Sequence, residues 1–331
     1  MAATLLARFG NRPAARGAVK STRSKRRRTR NKSSSLAISE VRGQLLAWYG
    51  LHGRRLPWRE RVDPYRVLVS EMMLQQTQAE RVVPKFEAFL ERFPTAGSLA
   101  SSAVAEVVRL WQGLGYNRRA VRLHAIARAV VERHGGEIPR ETGALLALPG
   151  IGRYTAAALR AFAFNADAAP LDTNIRRVIH RLAFGLEHPP RAGAAALERV
   201  ASELVAPGRG REWNSALMDL GATVCTARAP KCLVCPLRDY CAAAPIDPLE
   251  LQAAAKAHAP ARGPQARLKF VETTRYARGR IVEHLRGLPH GAGASVAQLA
   301  DLLGRPDVSA LVAGLERDGL AAVEGECVRL P

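Results

Sequence analysis

The sequence predicts an all-helical body followed by a small module that combines helices with two short strands. Between residues 38 and 245, apolar residues recur every three or four positions between short Gly- and Pro-containing breaks, as in packed amphipathic helices. After an Ala- and Pro-rich stretch at 246–267, three more helical patterns precede two short apolar segments around a Gly turn. Four closely spaced cysteines add a predicted metal site to the helical body.

The helical patterns can be placed individually along the chain. In the body, expected to span 37–245, helices are predicted near 38–51, 64–78, 80–92, 104–112, 117–133, 141–147, 153–163, 173–184, 193–205 and 212–223. Residues 246–267 are expected to form a linker that is partly helical. In the last segment, 268–331, helices near 275–287, 295–303 and 307–318 precede strands near 320–323 and 327–330. This order predicts a winged-helix-like module whose third helix, rich in acidic residues, packs against protein and does not read DNA bases.

Charge indicates the class of partner. The chain of 331 residues carries 50 Lys and Arg against 29 Asp and Glu, a net charge of +21. Such an excess predicts binding to a polyanion such as nucleic acid. No stretch has the length and apolarity of a membrane span, and the start lacks an apolar secretory region. We therefore expect an intracellular protein that binds nucleic acid and does not bind membranes.

About half of the net charge lies in a leading arm. Residues 1–36 contain eleven Lys or Arg and no acidic residue, so a disordered basic arm is expected. Its role is open between a solubilising extension, a phosphate-binding segment and a mitochondrial transit peptide. The Ala-, Arg- and Gly-rich composition of the rest favours a bacterial, cytoplasmic protein; in a eukaryote, the location would be the nucleus or a mitochondrion.

The cysteines follow the spacing C-x6-C-x2-C-x5-C, as Cys225, Cys232, Cys235 and Cys241. Four thiolates so close together can enclose an iron-sulfur or zinc centre, whereas disulfides would need an oxidising compartment. Zinc sites more often show two C-x-x-C pairs, and only one occurs here, which favours a [4Fe-4S] cluster. Spacing alone leaves both metals open.

A second motif predicts contact with phosphates. Residues 148–152 (LPGIG) lie between two helical patterns, as in a helix-hairpin-helix. Glycines at Gly150 and Gly152 allow backbone N–H groups at a helix start to face a phosphate without an intervening side chain. An ordinary turn between helices is the alternative.

Two carboxylates are candidates for chemistry. Glu71 shares a helix face with Val67, Leu68 and Leu74, and a carboxyl group on an apolar face can act as a general acid because desolvation favours its protonated form. A buried glutamate paired with an arginine is the alternative. Asp172 precedes a helix and suits an N-cap, yet its carboxylate could also stabilise positive charge in a substrate.

Taken in order, these motifs resemble the adenine DNA glycosylases of the MutY type. The resemblance covers residues 38–245. Besides the hairpin and the cysteines, it rests on segments 56–59 (LPWR), 70–77 (SEMMLQQT), 113–116 (GLGY), 171–172 (LD) and 217–221 (LMDLG).

The resemblance implies a two-lobed helix-hairpin-helix glycosylase fold, with a hairpin lobe at about 64–170, a cluster lobe built from the flanking helices, and a [4Fe-4S] loop at 225–241. It also implies hydrolysis of the N-glycosidic bond of adenine mispaired with guanine or 8-oxoguanine in double-stranded DNA. The adenine would be flipped out of the helix by a monomeric base-excision repair enzyme without a nucleotide cofactor.

The family's functional residues match positions in this chain. By resemblance, Glu71 protonates the adenine ring, Asp172 stabilises or captures the sugar cation, and Tyr154 supports the same intermediate. The resemblance also assigns Trp58 and Arg59 to the adenine pocket, and Gln76 and Tyr116 to wedges in the base stack. The remaining DNA contacts fall at Leu74, Gln75, Thr77, Leu148, Gly150, Gly152, Arg228 and Lys231.

One residue distinguishes this family from a related one, and other features leave the substrate open. Tyr154 stands where the endonuclease III type carries a lysine that forms a Schiff base, so we expect a glycosylase without strand cleavage. A thymine or other mismatch glycosylase can also carry tyrosine there, although residues 74–77 (LQQT) favour adenine; a non-catalytic iron-sulfur DNA-binding protein is a third interpretation, which Glu71 and Asp172 oppose. The segment after Cys241 does not resemble the family's Nudix-like domain, leaving preference for 8-oxoguanine open.

Two substitutions within the matched region also depart from the family. Asn117 stands in place of a second tyrosine, and Ser215 stands where a carboxylate or amide often reaches the adenine. We expect these two changes to alter affinity or context preference without removing the chemistry.

Overall fold

A computed structural model of the chain describes residues 23–259 and 269–331, with side chains described from residue 37 onward. The chain divides into two compact units, each made from two stretches of sequence. The first unit comprises Met1–Arg55 and Arg153–Ala261, and the second comprises Leu56–Gly152 and Arg262–Pro331. The predicted boundaries of arm, body, linker and module remain predictions. Most of the predicted arm lies outside the described residues, and the first described helix begins within it at Arg23.

The first unit is helical. Its elements are α1 (Arg23–His52), α9 (Arg153–Ala158) with a π-helical turn at Leu159–Ala163, α10 (Thr173–Phe184), α11 (Ala194–Leu204), α12 (Gly210–Thr223) and α13 (Pro248–Ala257). A single core forms where α1, α10, α11 and α12 bury one apolar face each, including Leu45, Ile179, Val200 and Trp213. Each fully buried side chain of this kind contributes about 1.5–3 kcal/mol. The core also packs against Cys225, Cys235 and Cys241, which places the cysteine loop on this unit.

The second unit begins with seven helices. They are α2 (Pro57–Glu60), α3 (Pro64–Leu74), α4 (Ala79–Arg92), α5 (Ala96–Ala100), α6 (Val104–Leu110), α7 (Arg118–His134) and α8 (Thr142–Leu146). Aromatic rings fill its core: Phe89 meets Phe93 edge to face at 5.1 Å and Trp111 at 6.0 Å between ring centroids. These contacts set α4 and α6 against each other and leave the end of α3 facing the loop before α7.

The C-terminal module belongs to the second unit. It contains α14 (Thr274–Gly287), β1 (Gly293–Ser295), α15 (Val296–Leu303), α16 (Val308–Arg317), β2 (Ala322–Glu324) and β3 (Cys327–Arg329). Its sheet has the order β1-β3-β2 with antiparallel neighbours, so that Val328 of β3 pairs with Ala294 on one side and Val323 on the other. Backbone bonds tie the module to the preceding helices, since the Ala105 N–H donates to the Pro331 carbonyl at 2.8 Å.

The helical fold class and the mixed C-terminal module agree with the sequence predictions. The short helices α2 and α5 and strand β1 were not predicted, because elements of three to five residues are too short to show a period. Helix α3 ends at Leu74 and not near 78, because Gln76 adopts a left-handed conformation with φ of 57°. No helix in 23–259 or 269–331 combines the length and apolarity that crossing a membrane requires.

Candidate functional site

Glu71 lies in the middle of α3 in the second unit. The helix begins where the Asp63 carboxylate accepts a hydrogen bond from the Arg66 N–H at 3.0 Å, with Pro64 in the first turn. The apolar face that includes Val67 and Leu68 packs into the core. Glu71 lies on the same face and is only 7% exposed. The predicted burial is therefore confirmed, and its role as an acid stays a prediction.

The two predicted wedge residues share an unusual backbone conformation. Gln76 has φ of 57° and Tyr116 has φ of 46°. Within the described part of the chain, Asn165 is the only other non-glycine residue with positive φ. Such conformations cost on the order of 1–3 kcal/mol each and persist only where surrounding contacts enforce them. Both side chains are exposed, the Tyr116 side chain by 38%. The left-handed backbone therefore holds both side chains at the surface.

Arg119, which the sequence analysis did not identify, enforces this geometry. We call the segments 75–78 and 111–117, which carry Gln76 and Tyr116, the wedge loops. The buried guanidinium of Arg119 donates to carbonyl groups on both loops, including those of Gln75 at 2.6 Å and Gly115 at 3.0 Å. It also reaches the Met73 carbonyl at 2.6 Å and the Thr77 hydroxyl at 3.0 Å. Burial lowers the pKa of Arg119 to about 10, so the group remains charged at neutral pH.

The burial of Arg119 could have been predicted from the sequence. Arg119 occupies the same helical stripe as Leu123, Ile126 and Val130, all of which are fully buried. A cation on an apolar stripe predicts a buried polar contact, because an uncompensated charge there would be costly.

Trp58 and Arg59, assigned to the adenine pocket, and three predicted DNA contacts have mixed surroundings in the same unit. Trp58 is almost fully buried and meets Phe86 edge to face at 5.4 Å, so part of its ring serves the core. Leu74, Gln75 and Arg59 are half-buried, and the Thr77 hydroxyl lies 3.3 Å from the Leu114 carbonyl oxygen. The pocket roles of Trp58 and Arg59 and the DNA contacts of Leu74, Gln75 and Thr77 stay predictions.

The predicted hairpin turn is present after α8. Leu148 is buried, and its carbonyl accepts a hydrogen bond from the Ile151 N–H at 3.2 Å. Gly150 has φ of +78°, and a Cβ there would come within 2.2 Å of the Arg122 Cδ atom. A larger residue here would therefore need both a strained backbone and a displaced Arg122 side chain. At Gly152 nothing lies within 4 Å of a Cβ position, so the backbone there is open to a ligand.

Asp172 caps α10 in the first unit. One carboxylate oxygen accepts from the Ile175 N–H at 2.6 Å, and the other accepts from the Asn174 side-chain amide at 3.2 Å. The N-cap interpretation is therefore correct. The carboxylate remains half-exposed, which leaves it able to face a substrate as well. Tyr154, on α9 of the same unit, is also half-buried.

Two arginines on α10, the helix that Asp172 caps, form hydrogen bonds with the cysteine loop. Arg177 donates to the Cys225 carbonyl at 2.9 Å. Arg181 donates to the Thr226 carbonyl at 2.8 Å and to the Cys225 sulfur at 3.5 Å, while Glu187 neutralises it. Neither arginine was predicted from the sequence, because every residue has a backbone carbonyl and such a partner cannot be recognised from residue types.

The four cysteines line one small cavity together with apolar side chains such as Val224 and Ile246. None of the four forms a disulfide. Burial raises the pKa of Cys235 to about 12 and that of Cys241 to about 11, so these thiols bind a metal centre with loss of protons. In the part of the chain that is described, no group of three or more His, Cys, Asp or Glu side chains is placed to hold a single metal ion.

Arg228 and Lys231 project from the cysteine loop. Both side chains are exposed, while the backbone is held by a hydrogen bond from the Lys231 N–H to the Val224 carbonyl at 2.9 Å. Leu233 and Val234, which the sequence analysis did not single out, are exposed beside them. A fixed backbone with free cationic side chains suits phosphate contact.

The α12 segment contains a buried polar row. Ser215 is buried, and the neighbouring Asn214 donates from its amide to the Ala168 carbonyl at 2.8 Å. Asp219 is fully buried and pairs with the Arg54 guanidinium at 2.7 Å. The structure therefore gives this segment a role in holding the first unit together.

Two family models match the chain. Residues 69–204 match the HhH-GPD superfamily of base excision DNA repair proteins, and residues 225–241 match the iron-sulfur binding domain of endonuclease III. The second match spans all four cysteines, which are accordingly the ligands of a [4Fe-4S] cluster.

Curated relatives cover most of the chain. An adenine DNA glycosylase from Mycolicibacterium smegmatis is 46% identical over 61% of this chain and 68% of its own length. One from Mycobacterium tuberculosis is 42% identical over 73% of this chain and 77% of its own. The human adenine DNA glycosylase is 42% identical over 62% of this chain, which spans 40% of that longer protein.

Solved structures show the same fold. A thermostable thymine-DNA glycosylase superposes with a TM-score of 0.59 at 32% identity, over 63% of this chain and 97% of that one. An endonuclease III trapped in a covalent DNA intermediate superposes with a TM-score of 0.53 at 22% identity, over 62% of this chain and 94% of that one. The second likeness concerns the fold alone.

Proposed function

This chain belongs to the adenine DNA glycosylase family, and we propose that it hydrolyses the N-glycosidic bond of adenine mispaired with guanine or 8-oxoguanine in double-stranded DNA. The observation that carries this proposal is the buried Glu71, placed on α3 directly before the strained loop of Gln76. A carboxyl group protected from water can hold a proton for a leaving base, and an outward loop can fill the gap that a flipped base leaves.

The proposed reaction divides the work between two carboxyl groups. Glu71 donates a proton to the adenine ring, the bond from the base nitrogen to C1′ breaks, and its electron pair leaves with the base. The half-exposed Asp172 stabilises the positive charge that develops on the sugar until a water oxygen adds to C1′ and gives up a proton. Tyr154 supports the same cationic intermediate.

Tyr154 also limits the reaction to base removal. A phenol cannot form the Schiff base with C1′ that a lysine amine forms, so the DNA strand stays intact after adenine leaves. We therefore infer a monofunctional glycosylase.

The cysteine ligands have a supporting role in this proposal. When bound, the cluster joins Cys225, Cys232, Cys235 and Cys241 into one rigid loop. Arg177 and Arg181 connect that loop to α10 and hence to Asp172. Arg228 and Lys231 on the same loop bind the DNA backbone.

The remaining assignments follow from the substrate. One chain supplies Glu71, Asp172 and Tyr154, so the enzyme acts as a monomer and needs no nucleotide cofactor. It works where genomic DNA is, which means the cytoplasm of a bacterium, or the nucleus or a mitochondrion of a eukaryote.

A panel of mispaired duplexes tests the proposal. Single-turnover release of base is measured from duplexes containing A opposite G, 8-oxoguanine, C or T, and T opposite G. The wild type should release adenine opposite G or 8-oxoguanine. Replacing Glu71 with Gln should lower the rate by about 10²–10⁴-fold, while Glu87→Gln, on the exposed face of α4, should leave it unchanged. Absence of base release by the cluster-loaded wild type on every duplex refutes the enzyme assignment.

The same panel decides the second candidate. The 32% identity to a thymine-DNA glycosylase over nearly all of that chain favours thymine as the alternative base. Release of thymine from T·G without release of adenine would replace the substrate assignment and leave the roles of the carboxyl groups in place.

A further inference from the structure

The second unit contains a cationic groove whose principal arginines have no assigned function. It has a volume of about 1010 Å³ and is bounded by the wedge loops, α7 and the C-terminal module. We call it the arginine groove; its principal lining residues are Gln76, Tyr116, Arg122, Arg275, Arg280 and Arg317.

The groove carries a net positive charge that its own acids do not cancel. Its three acidic residues are all paired: Asp318 with Arg118 at 3.1 Å and with Arg278, Glu283 with Arg286 at 3.5 Å, and Asp307 with Arg305 at 2.8 Å. Within 37–259 and 269–331, the four arginines named as lining residues above form no ion pair. Four unneutralised guanidinium groups around one groove indicate an anionic ligand with several charges.

The C-terminal module brings one of these arginines onto a wedge residue. The guanidinium carbon of Arg275 lies 4.0 Å from the centroid of the Tyr116 ring. This placement is fixed by the docking of the module, because Arg286 donates to the Asn117 side-chain oxygen at 2.9 Å and to the Val108 carbonyl at 2.9 Å. Asn117, a departure from the family pattern, thus anchors the module beside Tyr116.

The groove also extends to the hairpin turn. The Arg122 side chain lines the groove and lies against Gly150, where a Cβ would clash with it at 2.2 Å. Two of the elements that were predicted to contact DNA, the wedge loops and the hairpin, therefore border the same cationic surface.

We propose that the arginine groove binds the phosphodiester backbone of duplex DNA next to the inserted Tyr116, with Arg275 and Arg280 of the C-terminal module as phosphate contacts. The inference rests on the proposed function for its ligand. Guanidinium groups suit phosphate oxygens, and a backbone bent around a wedge supplies several of them in a row. The module thus contacts DNA through α14, whereas Asp318, which follows α16, forms a protein contact with Arg118.

The experiment measures DNA affinity as a function of salt. The ligand is a duplex with a 2′-fluoro adenosine opposite guanine, which resists base release, compared with the fully paired duplex and the single strand. The variants are Arg275→Ala, Arg280→Ala, the double variant and Arg275→Lys. Arg329→Ala is the matched control, because Arg329 lies on β3 of the same module and pairs with Glu324.

Each alanine variant should weaken binding to both duplexes by about 3–10-fold and reduce the slope of log K against log salt by about 1. Arg275→Lys should retain the slope, and the control should match the wild type. The proposal would be overturned if the double variant, with the melting temperature of the wild type, kept the same DNA affinity and salt slope. A loss of affinity for the mispaired duplex alone would indicate contact with bases and not with the backbone. Because binding is read without catalysis, failure of base release would contradict the proposed function and leave this result interpretable.

Discussion

Asp172 illustrates how one side chain can combine a structural with a chemical role. Its two carboxylate oxygens are engaged by the Ile175 N–H and the Asn174 amide, which cap and orient it at the start of α10. The positive end of the helix dipole lies next to this carboxylate. A charge held in this way is available to a developing sugar cation without further rearrangement.

Substitutions at Asp172 separate the two roles. Asp172→Asn retains an oxygen that can accept from Ile175 but removes the charge, so stability should change by less than about 0.5 kcal/mol while adenine release falls by at least about 10²-fold. Asp172→Ala should lose both, with about 1 kcal/mol of stability. Urea unfolding and single-turnover kinetics measure the two effects. Equal activity of Asp172→Asn and wild type would contradict the electrostatic role.

Tyr154 provides a gain-of-function prediction at the same scale. Tyr154→Lys introduces an amine that can attack C1′ after base loss and form a Schiff base. Reduction with borohydride should then trap a covalent protein–DNA adduct that the wild type does not form. Tyr154→Met is the control without an amine. If the lysine variant releases adenine yet yields no adduct, Tyr154 does not lie next to the sugar.

At the scale of elements, the wedge loops depend on a buried cation on α7. Arg119 supplies planar donors to carbonyl groups of two loops that have no regular structure of their own. Without Arg119, each of these carbonyl groups would lose a hydrogen bond from a charged donor, which contributes about 1.5–3 kcal/mol. The left-handed backbone at Gln76 and Tyr116 is held in place by these bonds.

Arg119→Lys tests this dependence. Lysine keeps the charge but cannot reach both loops with one compact ammonium group, so the free energy of unfolding should fall by about 1–3 kcal/mol. Adenine release from a mispaired duplex should also slow, because the wedges lose their fixed conformation. Arg128→Lys, on the exposed face of the same helix, should stay within about 0.5 kcal/mol of wild type. A destabilised variant with an unchanged rate would limit Arg119 to a structural role.

At the scale of the whole molecule, the residues proposed for catalysis are distributed over both units. Glu71 belongs to the second unit, whereas Tyr154, Asp172 and the cysteines belong to the first. The chain crosses between the units after Arg55 and again after Gly152, within the hairpin motif. Each unit therefore combines segments that lie far apart in sequence.

Removal of the cluster tests how the first unit depends on it. Cys235→Ser should abolish bound iron and acid-labile sulfide, lower the melting temperature, and weaken DNA binding, because the loop of Arg228 and Lys231 loses its fastening. At saturating enzyme, the rate of adenine release by the folded fraction should remain within a few-fold of wild type. Cys327→Ser, an exposed cysteine on β3, is the control. Normal DNA affinity in a cluster-free protein would contradict this role.

Most of the fold was predictable because its helices are long enough to repeat. The predicted segments at 173–184 and 80–92 agree with α10 and α4 to within a residue or so, since two or more turns with one buried face leave a clear period. The one-turn helices α2 and α5 leave none. The end of α3 was misplaced because a left-handed residue at Gln76 is imposed by contacts with Arg119 and not by local preference.

The sequence by itself determined the family, the cysteine ligands and the candidate carboxyl groups, because these depend on residue types at fixed spacing along one chain. Only the tertiary structure decided which cations are structural and which are free to bind DNA. Arg119, Arg177 and Arg181 are occupied by backbone carbonyl groups, whereas Arg275 is brought from a distant segment onto Tyr116. Such contacts form when elements far apart in sequence pack together. Because every residue has a backbone carbonyl, a carbonyl partner cannot be predicted from residue types.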